Sequence, residues 1–293
     1  MNLRGWRQSA VGLVFCGIAN AGSLLYTFGA DGLGAPTSLN RMDSASAASV
    51  TDVQTPVGDG NIGFNGGLVG VASLLYGIGN DSFGNATLYS FTDTGQGLTT
   101  VSSNFNVTGD AAGFGFLNGL AAHGGVFYAI GDGGASEDLF QIGNGTATDL
   151  GALNTYGGTY KGLAWDNTIG GFYAIIANAS DIDFHGDLLV RFSIGGSAAV
   201  AANLSALDHA DFGTHLGGIA DTQGGILYDI YTDPGTLTGR LEQLTVGSGP
   251  VSATALYDTN IPLAEFFIHV GVEIHDDNFR EQIGAVAADF FEQ

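Results

Sequence analysis

The sharpest local motif of metal-competent side chains is Asp181-Ile182-Asp183-Phe184-His185-Gly186-Asp187. Carboxylates fall at the first, third and seventh places, and a glycine at the sixth. Calcium loops of the D-x-D-x-D-G kind set oxygen ligands at alternate places and a glycine at the sharp turn. Here the fifth place is His185, a poor ligand for a hard cation. The twelfth is Phe192, where such loops carry a bidentate Glu. An EF-hand is therefore excluded. Asp181, Asp183 and Asp187 remain a candidate single-loop site for Ca²⁺ or a transition metal, with a solvated hairpin loop as the alternative. Carboxylates this close repel one another, and a cation relieves them. The only lysine of the chain, Lys161, is a second source of relief.

Asp208-His209-Ala210-Asp211-Phe212-Gly213-Thr214-His215 is a second cluster, with His, Asp and His at spacings a zinc ion accepts. No H-E-x-x-H accompanies it. His275-Asp276-Asp277 is weaker, because acids before a helix start have their own electrostatic reason. Nucleophilic serine chemistry lacks its G-x-S-x-G elbow. The six glutamates, Glu137, Glu242, Glu265, Glu273, Glu281 and Glu292, lie in no recognisable glycosidase pattern. No phosphate-cradling glycine motif joins a strand to a helix, and Gly58-Asp59-Gly60-Asn61 reads as a turn.

The elements that must position these residues are strands. Glycine numbers 49 of 293 residues without a Gly-X-Y period, and proline only 5, which excludes collagen. A hydrophobic share of 45% supplies a core and argues against disorder, while 12% charged residues leaves too few for long surface helices. The acids are 23 Asp against 6 Glu, a bias towards turns.

A unit recurs along the chain. A Gly-apolar-Ala element stands at Gly70-Val71-Ala72, Gly119-Leu120-Ala121, Gly162-Leu163-Ala164 and Gly218-Ile219-Ala220, at spacings of 49, 43 and 56. Each precedes an apolar-Tyr-x-Ile segment: Leu75–Ile78, Phe127–Ile130, Phe172–Ile175 and Leu227–Ile230. Leu25–Phe28 is a fifth copy without the leading element. A third segment follows at Leu88–Phe91, Leu139–Ile142, Leu189–Phe192 and Leu241–Leu244, and a Thr/Ala/Val-rich fourth closes the unit, as in Thr146–Leu153 and Ser252–Tyr257. Period-two alternation and Val/Ile/Tyr/Phe enrichment between Gly/Asn/Asp breaks mark strands.

Four strands per unit predict an all-β fold, a β-propeller of four-stranded blades. Four units are complete. The fifth, from Ser23 to about Val53, has three strands, and Ala264–Glu273 is a strand without a later blade. Pairing the two completes five blades and leaves no free edge in the ring. Six blades, the last degenerate, is the alternative. Asn278-Phe279-Arg280-Glu281 fits a capping box, so residues 278–293 are expected as a short helix or tail.

The pattern Tyr160-Lys161-Gly162-Leu163-Ala164-Trp165-Asp166, continued by Gly170-Gly171-Phe172-Tyr173-Ala174-Ile175, resembles the blade motif of exported bacterial propellers related to Kelch and NHL repeats. The resemblance covers most of residues 23–275. Its motif is structural and implies a fold, not an activity. It further implies a ligand face made by the loops that enter the innermost strands and those joining second to third strands. The first group offers Asn65, Asn118, Tyr160, Lys161 and His215. The second offers Asp31, Asn80, Asp81, Asp132, Glu137, Asp138, Asp181, Asp183, His185, Asp187 and Asp233. Asn118, Lys161, His215, Asp132 and Asp233 are the ligand-binding candidates, for a small molecule, a glycan or a protein.

Lys and Arg number 7 against 29 Asp and Glu, a net charge of −22, which repels phosphate backbones and excludes nucleic acid as a partner. Arg4 and Arg7, an apolar run over 10–18 and Ala19-Asn20-Ala21 predict a secretory signal peptide over residues 1–21. The propeller then occupies 22–277, with no membrane span in the mature chain. The protein is expected to be secreted or periplasmic. Cleavage removes Cys16, the only cysteine, and with it any disulfide or thiolate chemistry. Two functions stand: a non-catalytic exported binding or surface-associated propeller, and a secreted hydrolase of glycans, phosphoesters or lactones using channel carboxylates and bound Ca²⁺.

Overall fold

The computed structural model describes residues 24–30, 37–54, 67–71, 74–80, 86–94, 98–109, 119–132, 137–207, 215–221, 225–233, 238–262 and 272–275. The signal-peptide segment, the clusters at 208–214 and 276–277, and the segment 278–293 lie outside the described residues.

Five sheets follow one another along the chain, antiparallel except for one short parallel edge pairing in the third. The first holds β1 (Leu24–Ala30), β2 (Thr37–Asp43) and β3 (Ser46–Gln54). The second is β4 (Leu68–Val71), β5 (Leu74–Asn80), β6 (Ala86–Asp93) and β7 (Leu98–Asn106). The short β8 (Thr108–Gly109) then crosses to the third sheet, made of β9 (Leu120–His123), β10 (Val126–Asp132), β11 (Glu137–Gly143) and β12 (Thr146–Ala152). The fourth is β13 (Thr159–Asp166), β14 (Gly171–Ser180), β15 (His185–Phe192) and β16 (Ala199–Asn203). A single helical turn, α1 (Leu204–Leu207), leads to the fifth: β17 (His215–Asp221), β18 (Ile226–Asp233), β19 (Thr238–Thr245) and β20 (Ser252–Pro262).

The last described strand, β21 (Val272–His275), returns to the first sheet and pairs antiparallel with β1, Leu24 opposite His275 and Thr27 opposite Val272. The strand expected over 264–273 is thus present in its last two residues, and residues 264–271 lie outside the described ones. The innermost strands close on each other: β4 lies beside β9, β9 beside β13, β13 beside β17, β17 beside β21, and β21 beside β4. This is a propeller arrangement.

Both faces of a sheet in such a ring are covered by neighbouring sheets, so a second strand has no solvent side. Seven consecutive residues of β14, Gly171–Ala177, are buried. Phe172, Ala174 and Ile176 pack towards the third sheet with Tyr128, Ile130 and Leu139. Tyr173 and Ile175 pack towards the fifth with Ile219, Leu227 and Leu244. The period of two separates one neighbouring sheet from the other, not core from water. Phe140 and Phe172 are fully buried, and each would cost about 3–5 kcal/mol as alanine.

The recurring glycine has a packing reason. A Cβ on Gly119 would stand 2.7 Å from both the amide nitrogen and Cβ of Leu163, on the next innermost strand. A Cβ on Gly67 would collide with the Gly119–Leu120 backbone in the same way. Only a residue without a side chain lets adjacent innermost strands approach this closely. The register also corrects one alignment. Leu68 faces Gly77 as Leu120 faces Ala129, Leu163 faces Ala174 and Ile219 faces Asp229. The second-sheet counterpart of Gly119 is therefore Gly67, three residues before Gly70. Gly70-Val71-Ala72 mimicked the motif because Val71 and Gly70 already belong to the hairpin with Leu74 and Leu75.

Candidate functional site

The ends of the second strands and the starts of the third strands share one rim of the ring with the starts of the innermost strands. The fourth sheet carries the best-defined part of this rim. Residues 154–158 precede β13, and residues 181–184 join β14 to β15. The backbone carbonyl of Tyr156 accepts hydrogen bonds from the N–H groups of Ser180 and Asp181, both at 2.9 Å. Ser180 Oγ donates to the Gly157 carbonyl at 3.1 Å. The Tyr156 and Phe184 rings meet edge to face at 5.3 Å, and Tyr156 Oη donates to the Ala198 carbonyl at 2.9 Å.

This bracing holds two unusual backbone conformations. Tyr156 has φ 50° and Asn178 φ 55°. Asparagine visits that region readily, but a tyrosine there is strained, and such strain persists only where surrounding contacts over-determine it. Asn178 lies where the β14–β15 pairing slips between Ile176 and Ala179, and its N–H donates to Asp187 Oδ1 at 2.8 Å.

Asp187 therefore supports the backbone at this slip. Strand β15 begins at His185, so Asp187 lies inside a strand and is buried, 3% exposed. Its own N–H donates to Ser205 Oγ at 2.8 Å, which ties the strand to α1. Asp181 Oδ1 accepts the N–H of Asp183 at 3.1 Å in a local turn, and Asp183 is exposed. The three candidate metal ligands are thus divided between an exposed turn and a buried strand. Among the described residues no group of three or more His, Cys, Asp and Glu side chains is gathered to hold a metal ion. The tip residue Ile182, between half-buried Asp181 and exposed Asp183, is 90% exposed.

Lys161 occupies the register slip between Tyr160 and Gly162 on β13 and is half-buried. A bulge on an innermost strand turns its extra residue out of the ladder. Tyr160 beside it is fully buried, and its N–H donates to Glu137 Oε2 at 2.8 Å across the interface with the third sheet. Tyr160 Oη donates to the Asn154 carbonyl at 3.0 Å. Burial, then Glu137 and Tyr156, hold the Tyr160 phenol far above its ordinary range, so it remains a donor. Glu137, 5% exposed, begins β11 beside Asp138, whose Oδ1 is buried without a hydrogen-bond donor among the described residues.

Of the other candidates, Asp132 ends β10 opposite Glu137, Asp233 ends β18 opposite Thr238, and His215 opens β17 opposite Tyr231. These backbone positions lie on the same rim as Lys161. Asn118 lies outside the described residues.

No protein-family model matches the chain, and no curated protein does. Solved structures that align with it include a putative TolB from Agrobacterium tumefaciens, 15% identical with a TM-score of 0.48, covering 87% of this chain and 99% of that one. A chain of the nidogen/laminin complex is 14% identical with a TM-score of 0.44, covering 85% and 98%. The RS223 β-xylosidase is 12% identical with a TM-score of 0.44, covering 66% and 77%. None of the three lends this chain an activity.

The opposite end of the ring carries an aromatic stack. His123, at the end of β9, lies on Trp165 of β13 at 3.8 Å with 18° between the rings, and Phe172 meets Trp165 edge-on at 4.9 Å. Trp165 Nε1 donates to Asn167 Oδ1 at 2.9 Å. The stack seals the interface between the third and fourth sheets. Sequence reasoning overlooked it, and it overlooked the Tyr156–Asn178 strain as well. Neither has a local signal, since both depend on residues brought together from different strands.

Proposed function

We propose that the protein is an exported, non-catalytic binding propeller whose ligand face is the rim bearing Lys161, Asp181, Asp183, Asp132, Asp233 and His215. The observation that carries this reading is how the rim acids of the third and fourth sheets are employed. Glu137, Asp187 and Asp181 each accept a backbone N–H. Acids committed to the backbone build a rigid surface, and preorganised surfaces lower the ordering cost of binding. General acid–base chemistry needs carboxylates within reach of a reacting group instead. The net charge of −22 directs the choice of ligand towards polyols and cationic groups, as on a glycan or a basic protein surface. Export is supported by Arg4, Arg7, the apolar run and Ala19-Asn20-Ala21. Among the described residues no helix is long and apolar enough to cross a membrane.

The test is a glycan array and a capture assay with immobilised basic proteins, run on the secreted protein. Binding that falls at least tenfold in Asp183→Asn and Lys161→Gln, with an unchanged circular-dichroism spectrum, supports the reading. Turnover of chromogenic glycosides, phosphoesters or lactones that the same substitutions abolish would replace it with the hydrolase.

A further inference from the structure

One position of the repeat is filled differently in the fifth sheet. The third residue of each second-strand motif faces the second residue of each third-strand motif. The pairs are Gly77 with Tyr89, Ala129 with Phe140, and Ala174 with Val190 in the second, third and fourth sheets. In the first sheet the pair is Thr27 with Asn40, neutral and polar. In the fifth it is Asp229 with Glu242. Two acids thus occupy a place that three sheets reserve for apolar or small residues.

Both acids are buried, Asp229 at 0% exposure and Glu242 at 2%. They stand directly opposite in an antiparallel pair, so their side chains leave the same face about 5 Å apart at Cβ. Leu227 and Leu244, two residues along that face, pack with Ala164, Tyr173, Ile175 and Leu189 of the fourth sheet. The acids therefore lie in a buried inter-sheet seam, next to its apolar stretch. By register, the ionisable residues at alternating positions on this face are Asp221, Tyr231, Asp233, Arg240, Asp258 and, opposite Tyr231, His215 in the fifth sheet, and Asp166, Tyr173, His185, Asp187 and Arg191 in the fourth. Lys161 lies at the bulge of β13. Arg240 Nε is engaged by Asp258 Oδ1 at 2.7 Å, with Tyr231 as its next partner. Tyr173 interacts with Asp166, Arg191 and Asp221. Ser205 and the rest of α1 bring no charge.

We propose that Asp229 and Glu242 share one proton in the folded protein and that this proton makes the seam between the fourth and fifth sheets a pH-dependent joint. Two adjacent carboxylates in a dry seam cannot both ionise without a large penalty, so one holds its proton to higher pH than in the unfolded chain. The sign follows. The native state binds more protons than the unfolded state between the ordinary carboxylate range and the raised one. The contribution is complete at acidic pH and is lost as pH rises through the raised range. In that window the unfolding constant grows about tenfold per pH unit for one retained proton.

Unfolding is measured from pH 5 to pH 9 in about 1 M salt, where a Debye length of ~3 Å screens the acidic surface. The wild type should lose stability steadily as pH rises. Asp229→Ala with Glu242→Val, which installs the pair of the fourth sheet, should flatten this profile and unfold at a higher temperature at pH 8. Asp229→Asn alone, in which a permanent donor replaces the shared proton, should flatten it too and serves where the double variant does not fold. The wild type at pH 7 should show the infrared band of a protonated carboxyl group, absent from Asp229→Asn. A profile equally steep in the wild type and either folded variant, or no such band in the wild type, overturns the proposal.

Discussion

Tyr257 Oη donates a hydrogen bond of 2.5 Å to the backbone carbonyl of Asp43, across 214 residues of sequence. It joins β20, the outermost strand of the fifth sheet, to the β2–β3 turn of the first, beside the seam that β21 closes. Burial first, then Asp43 and Tyr228, push the Tyr257 phenol up to about 12. The native state therefore holds this proton more tightly than the unfolded chain. Its stabilising contribution is complete below pH ~10 and is lost as pH rises through about 12. Tyr257→Phe is expected to cost about 1 kcal/mol in denaturant unfolding at pH 7. It should also soften the alkaline loss of stability, as read by circular dichroism along a base titration.

Gly119→Ala should be far more damaging than an ordinary loop substitution. Gly119 has φ 143°, and its added Cβ would meet Leu163 at 2.7 Å. Backbone strain and overpacking together predict a loss of about 3 kcal/mol or more, or no soluble protein. Gly124→Ala is the control. Its φ of 61° carries the left-handed penalty, but nothing lies within 4 Å of the added carbon. A loss of about 1–2 kcal/mol is expected there. Thermal melts of the two variants side by side decide the matter.

Asp187→Ala and Asp183→Ala should behave oppositely although both belong to one acidic run. Removing Asp187 leaves the Asn178 N–H without its acceptor at the β14–β15 register slip, at a cost of about 1–3 kcal/mol. Asp183 is exposed, and its loss should change stability by less than about 0.5 kcal/mol. Equal effects in urea unfolding would show that the burial of Asp187 has no energetic consequence.

The strands were legible because each carries its own apolar signature between glycine, asparagine and aspartate breaks. Four copies of an apolar-Tyr-x-Ile segment also made the closed arrangement readable, since a repeat must bury the same face each time. Boundaries were less legible. Gly70 imitated the motif of Gly67 because both glycines precede an apolar residue and only strand pairing tells them apart. That Asp187 belongs to a strand and not to the loop was not legible, because spacing along the chain does not show that β15 starts at His185. The strain at Tyr156 and the pairing of Asp229 with Glu242 were invisible, since both arise between segments. The second required the register of two strands before the departure from the repeat could be noticed.

The pairing of β1 with β21 makes the first sheet a joint product of both ends of the chain. During synthesis four sheets can form as their own segments emerge, yet the seam stays open until residues 272–275 have left the ribosome. A circular permutant cut between the first and second sheets, with residue 275 joined to residue 24 by a short linker, would turn that seam into a hairpin. Every sheet would then be local in sequence. Contact order would fall and folding should be faster, with the native set of strand pairs unchanged.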